Sequence, residues 1–237
     1  MSTVVLVHGA WHGAWCWYKV VPLLQRAGHR VLVPDLPGHG RDAAPIGGAT
    51  MQDYAQRVVD VMRTANEPVV LVGHSMGGMV ISTAAEQQPD SVARLVYLAA
   101  MLLDDGQTTA DVTAAGDVSR IGASLVVAPD GATLTVEPGA LKEIFYGDCA
   151  DADVALAQLL LGPESIAALG ASIHTSAPRW GRIPRTYIEC THDQAISIGA
   201  QRAMTRRIPC EAVVTLHTDH SPFFSAPELL ARQLLAL

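Results

Sequence analysis

The chain has 237 residues, 49% hydrophobic and 16% charged, enough for one large α/β domain and far from the composition of a disordered chain. A formal net charge of -7, with no run of Lys or Arg, excludes nucleic acid as a partner. No stretch approaches the roughly 20 apolar residues that a membrane span needs, so no membrane association is expected either.

Met1-Ser2-Thr3 has no basic region and leads straight into Val4-Val5-Leu6-Val7, a buried strand; a cytoplasmic location is the expectation. A helix is expected from about Trp17 to Ala27, stopped by Gly28, then a strand over Arg30-Val33 ending at Pro34. Thr50-Met51-Gln52-Asp53 has the spacing of a capping box and opens a helix to about Ala65. Pro68-Val72 reads as a strand, Ser75 to about Gln88 as a helix ended by Pro89, and Leu95-Leu98 as another strand. Residues 105–180 break the alternation: they are rich in Ala, Gly, Asp and Thr, with weak helical stretches near Ala140-Phe145 and Asp153-Leu161. The alternation then returns with a strand over Thr186-Cys190, a helix over Ala195-Arg207, a strand over Val213-Leu216 and a terminal helix from Pro227 to Leu237.

Strands alternating with helices imply right-handed βαβ units and a mostly parallel central sheet with helices on both faces. The interruption implies an inserted helical cap at 105–180, with residues 1–104 and 181–237 forming the core. The cap would sit over the carboxyl ends of the strands, where open α/β sheets bind ligands. Cys16, Cys149, Cys190 and Cys210 are scattered without a CxxC pair, the pattern of reduced, mostly buried thiols.

Gly73-His74-Ser75-Met76-Gly77-Gly78 follows a strand and opens a helix, the setting of a G-x-S-x-G nucleophile elbow. The turn is so tight that Gly73 and Gly77 are needed where a Cβ would clash, and it holds the Ser75 hydroxyl clear of the sheet over a helix N-terminus. A serine needs a base, and among nine histidines His220, just after the last strand, is best placed. His217 still belongs to the strand end. His29, His39 and His174 read as surface or loop residues, and His8 and His74 as support beside the site. The base needs an acid. Asp193 follows the strand Thr186-Cys190 and gives the chain order Ser75, Asp193, His220. Asp104 or Asp105 is a competing acid, and Asp193 has an alternative use as a cap for the helix from Ala195. The oxyanion donors are the N–H of Met76 and, where Gly9 lets the first loop turn close, that of Ala10. Trp11, Met101, Leu103 and Phe145 are the candidate substrate-binding residues; Trp15 and Trp17 read as packing residues. Gly38-His39-Gly40 lacks a following GxGxxG, and no HExxH or other metal spacing occurs, so neither cofactor nor metal is expected.

Taken together, Val7-His8-Gly9-Ala10-Trp11-His12-Gly13-Ala14-Trp15, Asp35-Leu36-Pro37-Gly38-His39-Gly40, the Ser75 elbow, Cys190-Thr191-His192-Asp193 and Asp219-His220 span nearly the whole chain. In that order they resemble a group within the α/β hydrolases. It holds plant methyl-ketone and methyl-salicylate type esterases, plant hydroxynitrile lyases, and bacterial esterases including pyrethroid hydrolase-like enzymes. The cap carries no motif of the group. The lyases resembling this chain carry Thr in place of Gly9 and Lys immediately after the catalytic His, where this chain has Ser221. The resemblance therefore implies a carboxylic-ester hydrolase acting on a small-molecule ester. A carbon–carbon lyase and a non-catalytic small-molecule receptor on the same fold remain as alternatives, and a homodimer is left open. The near absence of Lys and Arg beside these motifs, Arg41 on a separate loop excepted, implies a neutral, hydrophobic ester.

Overall fold

The computed structural model describes residues 2–114 and 119–237, without the side chains of 113 and 114. In chain order the strands are β1 (Thr3–Val7), β2 (Arg30–Leu32), β3 (Val69–His74), β4 (Val92–Leu98), β5 (Leu125–Val127), β6 (Thr133–Val136), β7 (Glu164–Ser165), β8 (Arg185–Cys190) and β9 (Ala212–Leu216). The helices are α1 (Val21–Arg26), α2 (Met51–Met62), α3 (Gly77–Gln87), α4 (Thr109–Ala114), α5 (Leu141–Phe145), α6 (Asp151–Leu160), α7 (Ile166–Leu169), α8 (Ile198–Arg207), α9 (Pro222–Ser225) and α10 (Pro227–Leu235).

Six strands form one wholly parallel sheet in the order β2-β1-β3-β4-β8-β9. The central strands β1 and β3 are runs of Val and Leu buried on both faces, as a sheet sandwiched between helices requires. Strand order reverses at β1: the chain steps outward to β2, then returns to β3 on the other side. Right-handed crossovers in opposite directions put α1 and α2 on opposite faces. They also open a crevice at the carboxyl ends of β1 and β3, where Val7 pairs with Gly73. The loops that follow these two strands carry Ala10 and Ser75.

Local chemistry explains the element ends. Gly28 takes φ +88°, its N–H reaching the Gln25 carbonyl, and so terminates α1. A 3₁₀ turn over Ala14–Trp17 precedes this helix, which starts only at Val21. Thr50 and Asp53 form the reciprocal capping box of α2. The cap between β4 and β8 holds α4 to α7, and also an antiparallel sheet, β5-β6-β7, that the sequence did not announce. Its strands have only two to four residues, too few for an alternating pattern to register. All four cysteines are free. No helix among the described residues is long and apolar enough to cross a membrane.

Candidate active site

Ser75 lies directly after β3 with φ +55°, a left-handed conformation that costs a non-glycine residue about 1–3 kcal/mol. The surroundings over-determine it. The Ser75 N–H donates to Leu98 O, and its carbonyl accepts from the N–H groups of Gly78 and Met101. A Cβ on Gly73 would lie 2.4 Å from Gly77 O, and one on Gly77 2.8 Å from His8 O. These two glycines let β3, α3 and the loop after β1 meet in a space that no larger residue fits. Gly9 belongs to the same packing: a Cβ there would sit 2.8 Å from Ser75 Cβ.

His220, in the loop between β9 and α9, is almost wholly buried, with Nδ1 2.7 Å from Asp193 Oδ2. A carboxylate on Nδ1 fixes the N–H on that nitrogen and leaves Nε2 with a free lone pair. Asp193 follows β8. Its Oδ1 accepts the N–H groups of Ala195 and Ile196, and its Oδ2 also accepts from Gln201 Nε2. Asp193 thus does not cap the helix: one oxygen holds the turn before α8 while the other holds His220. The N-cap of α8 itself is Ser197.

His74 packs against His220, ring centroids 4.5 Å apart, and its Nε2 bonds to the His220 carbonyl at 2.8 Å. Burial, and after it the closeness of the ionisable His220 and His12 rings, lowers the His74 pKa well below its ordinary value, so it is a neutral donor here. His8 is likewise kept neutral by burial and by His39; its Nε2 accepts the Leu36 N–H. The competing acids lie elsewhere: Asp104 pairs with Arg207, and Asp105 with His174. His217 is exposed at the end of β9, facing Thr191.

Among the described residues, neither the Ala10 N–H nor the Met76 N–H meets an acceptor within the chain. Both residues line a cavity of about 180 Å³ together with Ser75 and Trp11. Its remaining described wall comes from Met101, the cap residues Ile121, Leu125 and Leu169, and the loop residues Ala195 and Ile196, among others. No described lining residue carries a charge. Of the four sequence-nominated binding residues, Trp11 and Met101 face the cavity. Leu103 is buried in the core, and Phe145 packs behind the site against the Trp11 ring at 5.8 Å and the His220 ring at 5.6 Å. Ile121, Leu125, Leu169 and Ile196 escaped the sequence reading because single apolar residues on loops and short elements leave no periodic trace. Leu159 and Leu160, in the cap helix α6, are exposed. Arg41 points to solvent beside Asp35. Among the described residues no three His, Cys, Asp or Glu side chains converge as a metal site would require.

One expectation is corrected. His39 is not a surface residue; it is buried, with Nε2 3.0 Å from Glu164 Oε2. Gly38 and Gly40 both take positive φ, and the turn they make folds His39 inward beneath the cap.

Residues 4–233 match the alpha/beta hydrolase family. The chain belongs to that family. It is 36% identical over 248 residues to methylesterase 2 of Arabidopsis thaliana, covering 98% of this chain and 94% of the relative. To the pyrethroid hydrolase of Sphingobium wenxiniae it is 35% identical over 246 residues, covering 99% and 86%. It spans only 63% of the length of another relative, putative methylesterase 11, chloroplastic, of Arabidopsis thaliana, at 34% identity over 246 residues and 98% of this chain. Among solved structures, polyneuridine aldehyde esterase superposes with a TM-score of 0.90 at 28% identity, over 100% of this chain and 98% of that one.

Proposed function

We propose that this α/β hydrolase cleaves neutral, hydrophobic carboxylic esters through a serine nucleophile, with Ser75, His220 and Asp193 as its triad. The observations that carry the reading are the left-handed Ser75 beside a cavity whose described lining carries no charge, and His220, whose Nδ1 is held at 2.7 Å by a buried carboxylate. The similarity to methylesterase 2, to a pyrethroid hydrolase and to polyneuridine aldehyde esterase supports the reaction class.

In this mechanism Ser75 Oγ attacks the ester carbonyl carbon while His220 Nε2 takes its proton. Asp193 stabilises the resulting imidazolium and keeps the ring oriented. The carbonyl oxygen becomes an oxyanion held by the N–H groups of Ala10 and Met76, each worth roughly 3 kcal/mol in the transition state. Collapse of this intermediate breaks the C–O bond, and the leaving alcohol takes the proton from His220. Water, deprotonated by the same Nε2, then releases the acid and restores Ser75. Gly9 and Ser221 stand where the lyases that resemble this chain carry Thr and Lys. Ser221 is fully buried and uncharged, so it offers no cation to a leaving anion, which favours hydrolysis.

Hydrolysis of a p-nitrophenyl ester by wild type and Ser75→Ala tests the reading and separates a catalyst from a receptor. Wild type turns over, and the variant loses on the order of 10⁶-fold in kcat with its fold intact. A folded Ser75→Ala protein that keeps full activity contradicts it.

A further inference from the structure

We propose that Glu164, a cap residue far from Ser75 in sequence, is a positioning residue that sets one side of the oxyanion hole by holding the backbone of Trp11. The inference rests on the reading of Ala10 as an oxyanion donor.

Trp11 follows Ala10 directly and has φ +63°, a conformation that persists in a bulky residue only when its surroundings enforce it. The polar contacts to Trp11 itself come from the cap. Glu164 Oε2 accepts the Trp11 N–H at 3.3 Å, the Gly162 N–H donates to the Trp11 carbonyl at 3.0 Å, and Trp11 Nε1 donates to the Leu134 carbonyl at 3.0 Å. Trp11 is thus clamped at N–H, carbonyl and indole by β6 and the segment running into β7. The peptide between Ala10 and Trp11 is held at its N–H by Glu164 and at its carbonyl by His12 Nδ1 at 2.8 Å, and its orientation sets where the preceding Ala10 N–H points.

Glu164 is fully buried, which a carboxylate tolerates only with its lone pairs satisfied. It has four donors facing it. Oε2 meets Trp11 N–H and His39 Nε2, and Oε1 meets the Tyr54 hydroxyl at 2.7 Å and the Ser165 N–H at 2.8 Å. Burial, with the adjacent carboxylate second, pushes the Tyr54 phenol far above its ordinary value, so it stays a donor. His39 Nδ1 faces the Pro37 carbonyl, so both ring nitrogens are engaged and the His39–Glu164 pair is closed within the core. Nothing in the ester-hydrolysis steps uses this group. Among the described residues its most direct link to them is the Trp11 N–H; a longer one runs through His39, whose ring packs against His8 at 5.1 Å, and His8 Nδ1 donates to the Gly9 carbonyl at 2.8 Å.

The four donors predict a graded series. Glu164→Gln can turn its amide oxygen toward Trp11 and its NH₂ toward Tyr54, whose hydroxyl can accept; Ser165 and His39 lose their partner, but the Trp11 N–H keeps its acceptor. Glu164→Ala and Glu164→Leu leave the Trp11 N–H without an acceptor. Tyr54→Phe removes a bond to the same carboxylate without touching Trp11. The expected result is a kcat loss of about tenfold to 10²-fold in Glu164→Ala and Glu164→Leu, below the 10²–10³ that complete loss of an oxyanion donor costs. KM changes little. Glu164→Gln stays within about threefold of wild type, and Tyr54→Phe loses stability but not kcat.

The second readout is specific to the oxyanion. Affinity for a trifluoromethyl ketone, whose hemiketal carries that charge, falls in step with kcat/KM across the series. Affinity for an uncleavable ether analogue of the same shape does not. If neither Glu164→Ala nor Glu164→Leu folds, Glu164→Asp, whose carboxylate is one methylene too short to hold the Trp11 N–H as Glu164 does, carries the same comparison of the two ligands. Equal kcat in folded Glu164→Leu and wild type overturns the proposal, as does a Tyr54→Phe variant that loses as much kcat as Glu164→Leu. Labelling of Ser75 by a fluorophosphonate is run in parallel. If wild type is not labelled there, the underlying hydrolase reading fails; if it is labelled and the Glu164 series is flat, this inference alone fails.

Discussion

The parallel sheet and the segment inserted between β4 and β8 contribute to the site in different ways. The sheet supplies the groups assigned to the chemistry, each within a few residues of a strand end: Ala10 after β1, Ser75 after β3, Asp193 after β8 and His220 after β9. Their positions are fixed by backbone bonds and by glycines with no room for a side chain, so they are set locally. The insert supplies apolar wall, and one buried carboxylate that reaches back to the first loop. Its contributions are single residues on short elements, brought together only by tertiary packing. On the proposed reading, reaction type resides in the sheet, and substrate choice in the insert together with wall residues such as Trp11, Met101 and Ile196.

The sharpest way to break this division is to damage the sheet-borne groups. His220→Ala is expected to lower kcat by about 10⁶-fold and Asp193→Asn by about 10⁴-fold. The Asn amide can keep the turn capped through its oxygen. Its NH₂ then faces His220 and Gln201 Nε2, which forces the imidazole into the wrong tautomer. The double variant is little worse than His220→Ala alone, because the pair acts as a unit. Steady-state kinetics decides it. If Asp104→Asn or Asp105→Asn is the damaging change instead, the acid is misassigned.

A smaller effect sharpens the role of the insert. No charged group lines the described cavity wall, so burying a substrate carboxylate there costs several kcal/mol. Neutral hydrophobic esters should exceed esters with a charged acyl group of similar size in kcat/KM by on the order of 10²-fold, which corresponds to about 3 kcal/mol. A preference for the charged ester shows that the lining has been misjudged.

The mildest effect is on stability against pH. His12, buried between Trp15 and Tyr146, has its pKa lowered to about 4, chiefly by burial. Those of His8 and His74 are also lowered, again chiefly by burial. Because the folded values lie below the unfolded ones, the unfolded chain binds more protons as pH falls below about 6.5. Stability is therefore full above that pH and lost on acidification, for His12 down to about pH 4. Each of the three contributes up to about 1.4 kcal/mol per pH unit. Urea unfolding at pH 7.5, 5.5 and 4.5 reads this, and a flat profile contradicts the neutral, buried assignment.

The same division accounts for what the sequence revealed. The elbow was legible because a strained turn between strand and helix admits few residues at Gly73, Ser75 and Gly77. Asp193 and His220 were legible because each follows a β-branched run closely. The capping box at Thr50 was legible from spacing alone. His39 and Glu164 were not, because a histidine between two glycines and a glutamate on a two-residue strand look solvated until the cap closes over them. The antiparallel strands β5 to β7 and the cavity-lining Ile121, Leu125 and Leu169 were hidden for the same reason.

The central claim is that Ser75 forms the acyl-enzyme, and intact-mass spectrometry with peptide mapping tests it directly. Wild type is exposed to a fluorophosphonate or to a slowly released acyl ester, and hydrolysis is followed alongside. The account predicts one adduct per chain, on Ser75, with loss of activity proportional to labelling and no adduct in folded Ser75→Ala. An adduct on another residue that tracks inactivation, or full hydrolysis by a chain whose Ser75 is fully blocked, would contradict it.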